Sequence, residues 1–481
     1  MAEAAQADLG VIGLAVMGAN LARNAASRGF SVGLFNRHRE RTGALVQEHG
    51  GEGRFIPSDT LPEFVASLST PRIALIMVKA GKPVDDMIDE LMPHLEKEDI
   101  VIDGGNSHFT DTIRRAKACA VRGIRFVGMG VSGGEEGALK GPSMMPGCDR
   151  AAYDRIAPLL TRMAAQAAGE PCCALIGPDG AGHYVKMVHN GIEYADMQLI
   201  AETYDLLKSV YGMSADAIGA VFADWKSSPL DSYLIEVAAA VLRKKDETGR
   251  ALVDNILDEA EQKGTGRWTA QSALELGVPI TAITEAVYAR ALSGERELRL
   301  EAAKRFPHQS PAPEKASPAD VEAIRDALYA AKIVAYAQGF EQMSVAGQQY
   351  GWNLNLREIA GIWRAGCIIR ARMLDRIMEA YEREPSLANL LLADRFRDAV
   401  AGAEGAWRLV VSRAIQKGVP TPAFSSTLAY YDGFRRARGP ANLLQGLRDY
   451  FGAHTYRRLD KAGVFHTRWS EDGAEERVEG G

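Results

Sequence analysis

A glycine-rich turn near the start of the chain constrains the fold more than any other feature. In "GVIGLAVMGANLARNAASRG" an apolar strand precedes the turn and a helix follows it, and Gly29 can end that helix. Gly13 permits a tight turn and Gly18 close helix packing, while Ala15 stands at the middle glycine position of the dinucleotide fingerprint. The backbone can then approach a pyrophosphate at the helix N-terminus. The turn predicts a nucleotide-binding α/β domain, although the same pattern also suits a turn that only packs tightly.

The end of the next predicted strand indicates which nucleotide binds. A domain that binds NAD usually has an acidic residue here for the ribose 2′-hydroxyl, whereas this chain reads Asn36-Arg37-His38. Arg37 can face a 2′-phosphate with its planar cationic group, which favours NADP. The alternative is that Arg37 is a solvated loop charge and Glu40 is the ribose acid.

The periodicity of apolar residues divides the chain into three parts. Up to residue 180, β-rich runs such as "FSVGLFNR", "RIALIMVKA" and "IRFVGMGVSGG" alternate with helical patterns, which predicts a Rossmann-type α/β domain. Residues 181–436 are mostly of helical period and predict a large all-α domain, with "FPHQSPAPEKASP" as a surface loop. Residues 437–481 predict a weakly structured C-terminal tail that ends in the disordered segment "SEDGAEERVEGG".

Composition excludes several classes of protein. With 47% hydrophobic and 25% charged residues and a net charge of −6, the chain suits a globular protein without a sequence-wide nucleic-acid surface. The five cysteines form no C-x-x-C pair, which argues against zinc and suits a cytoplasmic protein. No targeting or membrane segment is evident.

The segment "HYVKMVHNGIEYADMQLI" places four polar residues on one side of a predicted helix. Lys186, Asn190 and Glu193 fall at i, i+4 and i+7, with His189 beside them. Most polar stripes face water, so this segment alone favours an ordinary amphipathic helix.

Three loops of small or amide-bearing residues follow predicted strands of the α/β domain. They read "VKAG", "GGNS" and "VSGGEEGA", and they stand at carboxyl ends of strands, where open α/β sheets bind ligands. Together they can line one cleft, although each alone could be a simple turn.

Long motifs spread over nearly the whole chain make a more specific comparison possible. The chain resembles the 6-phosphogluconate dehydrogenase family in "GLAVMG", "IDGGNS", "GVSGGEEGA", "KMVHNGIEY", "KGTGRW", "WNLNLREIAGIWRAGCIIR", "PTPAFSSTLAYYDG" and "LRDYFGAHTY". The resemblance implies a decarboxylating enzyme of the pentose phosphate pathway that uses NADP and 6-phosphogluconate. It also implies a homodimer in which each C-terminal tail completes the active site of the partner.

The same resemblance implies roles for individual residues. Lys186 is the expected general base and Glu193 the expected general acid. The residues expected to bind substrate are Asn106, Ser132, Gly133, Gly134, His189, Asn190, Tyr194, Lys263, Arg290 and, from the partner's tail, Arg448 and His454. The residues expected to bind NADP are Gly13, Ala15, Met17, Gly18, Asn36, Arg37, His38, Val78, Lys79, Ala80 and Asn106. The family commonly has threonine where this chain has His38, which leaves the strength of the NADP preference open.

The sequence leaves alternatives open on two points, the use of a metal ion and the function itself. A β-keto acid can lose CO2 without a metal if a protonated lysine hydrogen-bonds the developing enolate, so no metal site is expected. A metal-assisted route would need carboxylates such as Asp254 and Asp258, which are interpreted as a charged helix face. The rival functions are a related β-hydroxyacid dehydrogenase acting on a short hydroxyacid and an NADP sensor without enzymatic activity.

Overall fold

The computed structural model describes residues 6–307 and 312–478, and the chain divides into two compact units after Thr427. The first unit begins with a seven-stranded sheet of order β3-β2-β1-β4-β5-β6-β7, parallel except where β7 pairs antiparallel with β6. Its strands are β1 (Leu9–Ile12), β2 (Val32–Phe35), β3 (Phe55–Pro57), β4 (Ile73–Ile76), β5 (Ile100–Asp103), β6 (Arg125–Ser132) and β7 (Ser143–Gly147). The helices that follow them are α1 (Val16–Ser27), α2 (Arg39–His49), α3 (Leu61–Ala66), α4 (Lys82–Leu91), α5 (Phe109–Val121), α6 (Gly134–Lys140) and α7 (Arg150–Met163). The predicted Rossmann-type fold is confirmed.

Both faces of this sheet are covered by helices. Val101 and Ile102 are neighbours on β5, and each belongs to a different buried apolar core because successive side chains of a strand point to opposite faces. Strands buried on both faces are apolar at every position, which explains the continuous apolar runs in the sequence.

The rest of the first unit is predominantly helical, as predicted. A short hairpin of β8 (Gln166–Ala167) and β9 (Glu170–Pro171) precedes the helices. The helices are α8 (Ala181–Asp205), α9 (Ala215–Asp224), α10 (Tyr233–Arg243), α11 (Thr265–Leu276), α12 (Thr281–Gly294), α13 (Arg296–Arg305), α14 (Pro318–Tyr350), α15 (Leu356–Ile362), α16 (Met373–Arg383), α17 (Asp394–Lys417) and α18 (Pro422–Phe434), the last of which continues past Thr427. Within the described ranges, we find no helix with the length and apolarity needed to cross a membrane.

The predicted surface loop precedes α14. Residues 308–311 of this loop lie outside the described part of the chain, whereas Phe306 before them is 78% exposed. Ser317 and Asp320 form a capping box at the start of α14, and Gly351 ends the helix in a left-handed conformation.

Helix α8 occupies the centre of the first unit. It packs against β6 and β7 on one side and against α11, α12 and α14 on others. Residues on every face of its N-terminal half are therefore buried, including the polar ones.

The second unit contains more regular structure than the sequence predicts. Helix α19 (Ala441–Gly452) is followed by an antiparallel sheet of β10 (Tyr456–Arg457), β11 (Val464–Thr467) and β12 (Glu475–Val478). The prediction of a disordered segment from residue 470 is wrong for its described part, because the residues of β12 pair with β11. The prediction of a weakly structured tail is wrong for the same reason.

A buried carboxylate organises this second unit. Asp449 on α19 accepts hydrogen bonds from Thr455, His466, Thr467 and Trp469 at 2.8–3.0 Å. Burial alone would raise the pKa of Asp449, but these hydrogen bonds lower it to about 2. One side chain thereby joins the helix to the strands, a long-range arrangement that composition does not reveal.

Candidate active site

The polar stripe of α8 is buried rather than solvent-facing. Lys186 is 6%, His189 0% and Asn190 9% exposed, and the Glu193 side chain retains 22% exposure. The interpretation of an ordinary wet helix face, which the segment alone favoured, is therefore wrong. Buried ionisable residues on one stripe mark a candidate active site.

Strand β6 comes close to α8 where Lys186 begins its side chain. A Cβ atom placed on Gly130 of β6 would lie 2.4 Å from the Cβ of Lys186, which is far inside van der Waals contact. Only glycine at this position lets the strand and the helix pack at this distance. The sheet thereby fixes the position from which the lysine side chain extends.

Burial changes the proton affinity of Lys186 and Glu193 in opposite directions. Desolvation lowers the pKa of Lys186, and the negative charge of Glu193 partly opposes that effect. Desolvation raises the pKa of Glu193, and the positive charges of Lys186 and Arg290 partly oppose it. Lowering the pKa of a lysine favours its neutral, proton-accepting form, and raising the pKa of a glutamate favours its protonated, proton-donating form.

His189 lies in a hydrogen-bonded group with three other polar residues. Its Nε2 atom is 3.2 Å from the Ser132 hydroxyl, and its Nδ1 atom is 3.1 Å from the Asn190 side-chain oxygen. Burial and the charge of Lys186 hold the pKa of His189 well below its ordinary value, so the imidazole is neutral. The amide of Asn190 donates to the Thr265 hydroxyl at 3.2 Å.

The structure therefore brings together the predicted residues of β6 and α8. Thr265 is an additional member that the sequence reasoning missed. Its only sequence signal is the "KGTGRW" segment, one of the motifs that carry the family resemblance. Thr265 is the first residue of α11, and the left-handed conformation of Gly264 turns the chain into that helix.

The loop after β6 contains the next two predicted residues. Gly133 and Gly134 follow Ser132, and α6 begins at Gly134. A Cβ on Gly133 would lie 2.6 Å from the carbonyl oxygen of Gly366, so this glycine allows the backbone to pass close to the segment after α15. The predicted glycines thus adjoin the stripe through Ser132.

The predicted phosphate-binding cations lie in separate segments. The guanidinium carbon of Arg290 is 3.6 Å from the centre of the Tyr194 ring, which is a close cation–π contact. Arg290 also donates to the carbonyl oxygen of Glu261 at 3.5 Å, and the exposed Lys263 lies two residues further along the same segment. Tyr194 and Arg290 are therefore in direct contact, whereas Lys263 is linked to Arg290 only by its position two residues after Glu261.

The glycine-rich turn has the geometry that a dinucleotide requires. Gly13 has φ +91°, and a Cβ on Gly18 would lie 1.9 Å from the carbonyl oxygen of Gly13. Helix α1 begins after Ala15 with no side-chain cap and no acidic residue in its first turn. Its free N–H groups can therefore donate hydrogen bonds to a pyrophosphate, and the turn, including Met17, fits the cofactor that the sequence predicts.

The residues predicted for the 2′-phosphate lie at the end of β2. The Asn36 side-chain oxygen accepts from the Leu14 N–H at 3.0 Å and so joins this strand end to the glycine-rich turn. Arg37 forms an ion pair with Glu90 of α4, a neighbour that the sequence reasoning missed. His38 is exposed, with Nδ1 3.6 Å from Oε1 of Glu40. Both Arg37 and Glu40 thus have partners within the protein.

The loops after β4 and β5 lie side by side. Ile76 pairs with Asp103 at the ends of these parallel strands, and a Cβ on Gly105 would lie 3.3 Å from the Val78 carbonyl oxygen. This contact brings the loop that contains Asn106 next to the loop that contains the other predicted cofactor residues, which are Val78, Lys79 and Ala80.

Arg448 and His454 belong to the second unit. Arg448 on α19 donates to the Gln445 side chain at 3.1 Å, and His454 follows the end of this helix. Both are exposed within a surface that also exposes several apolar residues of α19, namely Leu443, Leu444, Leu447, Tyr450 and Phe451.

The two carboxylates considered for a metal site do not lie on one helix. Asp254 belongs to a 3₁₀ turn and pairs with Lys208 at 2.8 Å, and Asp258 lies beyond that turn and pairs with Arg299 at 2.8 Å. The prediction of a shared helix face is therefore wrong. Across residues 6–307 and 312–478, no cluster of three or more His, Cys, Asp or Glu side chains could hold a metal ion.

Comparison with known proteins covers both parts of the first unit and most of the second. Residues 8–177 match the NAD-binding domain of 6-phosphogluconate dehydrogenase, and residues 182–469 match the C-terminal domain of the same enzyme. A Bacillus subtilis NADP(+)-dependent, decarboxylating 6-phosphogluconate dehydrogenase is 56% identical over 96% of this chain and 98% of its own. An Escherichia coli decarboxylating 6-phosphogluconate dehydrogenase is 54% identical over the same shares.

Solved structures give the same result for the fold. The 6-phosphogluconate dehydrogenase of Plasmodium falciparum, studied in its apo form and with its cofactor NADP+ or its substrate 6-phosphogluconate, superposes with a TM-score of 0.93. The two chains are 42% identical over 96% of this chain and 100% of the other. With family models matching both domains and relatives matching over nearly the full length, the chain belongs to the decarboxylating 6-phosphogluconate dehydrogenase family.

Proposed function

We propose that this chain oxidises and decarboxylates 6-phospho-D-gluconate to D-ribulose 5-phosphate and CO2 with NADP, using Lys186 as general base and Glu193 as general acid, without a metal ion. The observation that carries this proposal is the pair of Lys186 and Glu193. Both residues lie on one buried stripe of α8, and burial shifts their pKa values in the directions that the two roles need. The named activity of the relatives supports the same reaction.

The first step is oxidation at carbon 3 of the sugar acid. The neutral amine of Lys186 accepts the proton of the 3-hydroxyl group. Bound NADP would supply the acceptor for the hydride that leaves carbon 3. The product of this step is a ketone that lies β to the carboxylate.

The second step is loss of CO2. Protonated Lys186 donates a hydrogen bond to the ketone oxygen, where negative charge develops as the carbon–carbon bond breaks. The ketone itself accepts the electron pair, so this ammonium group takes the place of a metal ion in the proposal. Lys186 first gives its proton to the enediolate oxygen, which forms the enediol. Glu193 then delivers a proton to carbon 1, and Lys186 takes back the proton of the hydroxyl group as the carbonyl of the product forms. Burial keeps His189 neutral, and its hydrogen-bond contacts with Ser132 and Asn190 fix the ring in the orientation that binds the substrate.

Residues of separate helices and loops bind the two ends of the ligands in this proposal. Arg290 and Lys263 bind the phosphate of the sugar, assisted by Tyr194 and by the partner's tail. The backbone of Gly13 to Gly18 binds the pyrophosphate, and Asn36, Arg37 and His38 surround the 2′-phosphate. Asn106 and the loop at Val78, Lys79 and Ala80 adjoin the nicotinamide end.

We also propose that the enzyme is a homodimer with shared sites. Helix α19 exposes Leu443 at 67% and Phe451 at 74%, in an apolar surface that a second copy of the chain would cover. Arg448 and His454 lie on or beside this helix, so covering the helix would bring both to the partner.

One assay tests the reaction. NADPH formation is followed by absorbance with 6-phosphogluconate, with and without EDTA, and with a short β-hydroxyacid such as 3-hydroxyisobutyrate for comparison. We expect turnover only with 6-phosphogluconate and no effect of EDTA. Turnover of the short acid instead would favour the related β-hydroxyacid dehydrogenase. Loss of activity in EDTA would show that the reaction needs a metal ion. No turnover of either substrate would favour an NADP sensor.

A further inference from the structure

A buried arginine of α5 contacts both loops next to the proposed nicotinamide site. Arg115 is 2% exposed, although its side chain carries a full charge. Its Nε and Nη2 atoms donate to the two carboxylate oxygens of Asp85 at 2.8 and 3.1 Å. Nη2 also donates to the carbonyl oxygen of Gly81 at 3.0 Å. Gly81 ends the loop after β4, and Asp85 lies in the first turn of α4.

The remaining nitrogen of the same guanidinium group contacts the other loop. Nη1 donates to Asp103 at 3.3 Å and to the hydroxyl group of Ser107 at 3.2 Å. Asp103 in turn accepts from the Gly105 N–H at 3.0 Å and from the Ser107 hydroxyl at 2.6 Å. The carboxylate therefore shapes the loop of residues 104–107, and Arg115 holds that carboxylate.

The same helix also contacts the helix of the proposed catalytic residues. The Thr112 hydroxyl is 2.7 Å from Nδ1 of His183, which lies one turn before Lys186 on α8. Gly128 of β6 leaves room for this contact, since a Cβ there would lie 2.3 Å from the methyl carbon of Thr112. Helix α5 thus connects both ligand loops to α8.

We propose that Arg115 is a positioning residue that sets the loop of Val78, Lys79 and Ala80 against the loop of Asn106, and thereby fixes the binding site for the nicotinamide half of the cofactor. Arginine is required because its planar group reaches Asp85, Gly81 and Asp103 with three separate nitrogens. A lysine would keep the charge but would present one nitrogen and could not hold both loops. The inference rests on the proposed roles of these loops.

The test compares two ligands that share the adenosine end of the cofactor. NADPH contacts both ends of the site, whereas adenosine 2′,5′-bisphosphate reaches only the end near Asn36 and Arg37. We expect Arg115→Lys to raise the dissociation constant of NADPH about ten-fold, the scale of one lost hydrogen bond to a charged group, and to leave that of the bisphosphate unchanged. Calorimetry or ligand fluorescence measures both constants without turnover.

The neighbouring arginine provides a matched control. Arg114 also contacts Asp85, at 2.9 Å, but its side chain is 56% exposed and pairs with Asp85 and Asp111 without reaching either loop. Arg114→Lys should therefore leave both dissociation constants unchanged. If Arg115→Lys does not fold, Ser107→Ala removes a single hydroxyl group from the same network, and NADPH binding should weaken in the same selective way.

The outcomes separate this inference from the proposed function. Equal weakening of NADPH and the bisphosphate would show that Arg115 only stabilises the domain, and unchanged binding of both in the folded variant would also overturn the inference. If the unmodified protein bound no NADPH, the proposed function itself would fail. Arg114→Lys could also weaken NADPH binding selectively and to the same extent. That result would overturn the inference, because it would assign the weaker binding to Asp85, which both arginines contact, rather than to the connection between the loops.

Discussion

Lys186 and Glu193 lie on one buried stripe of α8, and the charge of each opposes the effect of burial on the pKa of the other. Replacing the lysine should therefore remove the base while leaving the cofactor turn untouched. We expect Lys186→Met to bind NADPH normally and to lose about 10²–10⁴-fold in turnover, the range of a general base. Lys140→Met, at an exposed lysine paired with Glu136, serves as the control. Turnover of the Lys186 variant near that of the control would remove the base from this position.

Glu193→Gln should separate the two chemical steps. The amide cannot donate a proton to carbon, so decarboxylation and protonation of the product should slow about 10²-fold or more, while oxidation retains its base. Rapid-quench analysis would then show the β-keto acid or its enediol accumulating after hydride transfer. A variant with unmodified rates for both steps would place the proton donor elsewhere.

The same variant has a defined effect on pH dependence. Oxidation requires neutral Lys186, so its rate rises with pH through the pKa of this lysine, and burial places that pKa below the ordinary value. The Glu193 carboxylate raises the pKa of Lys186, and its removal lowers it further. The acid limb of the hydride-transfer rate should therefore move to lower pH in Glu193→Gln. A shift to higher pH would contradict the coupling.

Arg37 is the residue proposed to set the cofactor preference. We expect NADP to be preferred to NAD by at least about ten-fold in kcat/KM, roughly 1.4 kcal/mol, because one charge-assisted contact supplies that amount. Arg37→Glu should narrow or reverse the preference, since an acid would then face the ribose. Arg39→Glu, two residues further at an exposed arginine near Asp59, is the matched control. Equal efficiency of the unmodified enzyme with both cofactors would refute the role of the Asn36-Arg37-His38 segment.

Local sequence signals predict the elements of this fold well. The turn at Gly13 and Gly18, the end of α1 before Gly29 and the apolar strands each depend on neighbours within a few residues, and the structure contains all of them. The sequence does not predict the sheet of the second unit, because the residues of β12 are mostly polar. Glu475 there accepts hydrogen bonds from Tyr456 and Arg458 at 2.8 and 2.9 Å, and such pairs across a sheet leave no periodic pattern.

The local sequence of α8 also does not reveal that its polar stripe is buried. A helix with lysine, histidine, asparagine and glutamate on one side has the pattern of a solvated face, and only the elements packed around it decide otherwise. The contacts of Thr265, Glu90 and Arg115 join residues far apart in the chain. Residue types alone cannot specify such contacts, whereas the resemblance to a known family supplied the roles without the geometry.

Glu202 provides a test of stability that does not involve catalysis. This α8 carboxylate is 3% exposed and accepts the N–H groups of Ala423 and Phe424, at the start of α18, at 2.9 and 3.0 Å. Burial raises its pKa to about 7, although these backbone hydrogen bonds oppose the shift. The folded state then binds a proton that the unfolded state releases near pH 4.5, so this contribution to stability is full below pH 4.5 and is lost as pH rises through 7.

We therefore expect the free energy of unfolding of the unmodified protein to fall relative to Glu202→Gln between pH 5 and pH 8, by up to about 3 kcal/mol. Denaturant titrations at the two pH values measure this difference. Gln198→Ala, which removes the side chain that donates to Glu202 at 2.9 Å, keeps the carboxyl group and should keep its pH dependence. A parallel dependence of the unmodified protein and Glu202→Gln would show that this carboxyl does not titrate as proposed.

The proposed sharing of sites between subunits makes the last prediction. In this proposal, the body of a site is the part that one subunit supplies from its first unit, and the tail comes from the other subunit. Lys186→Met alters only the body, whereas the double variant Arg448→Ala, His454→Ala alters only the tail. Each homodimer should therefore be nearly inactive. A mixed dimer has one site with an intact body and an intact tail, so refolding the two variants together should restore part of the activity, up to about half per mixed dimer by symmetry. Mixing Lys186→Met with Glu193→Gln is the control, because no combination of those bodies is intact. Verified mixed dimers without activity, or an active monomer, would place the tail in its own subunit's site.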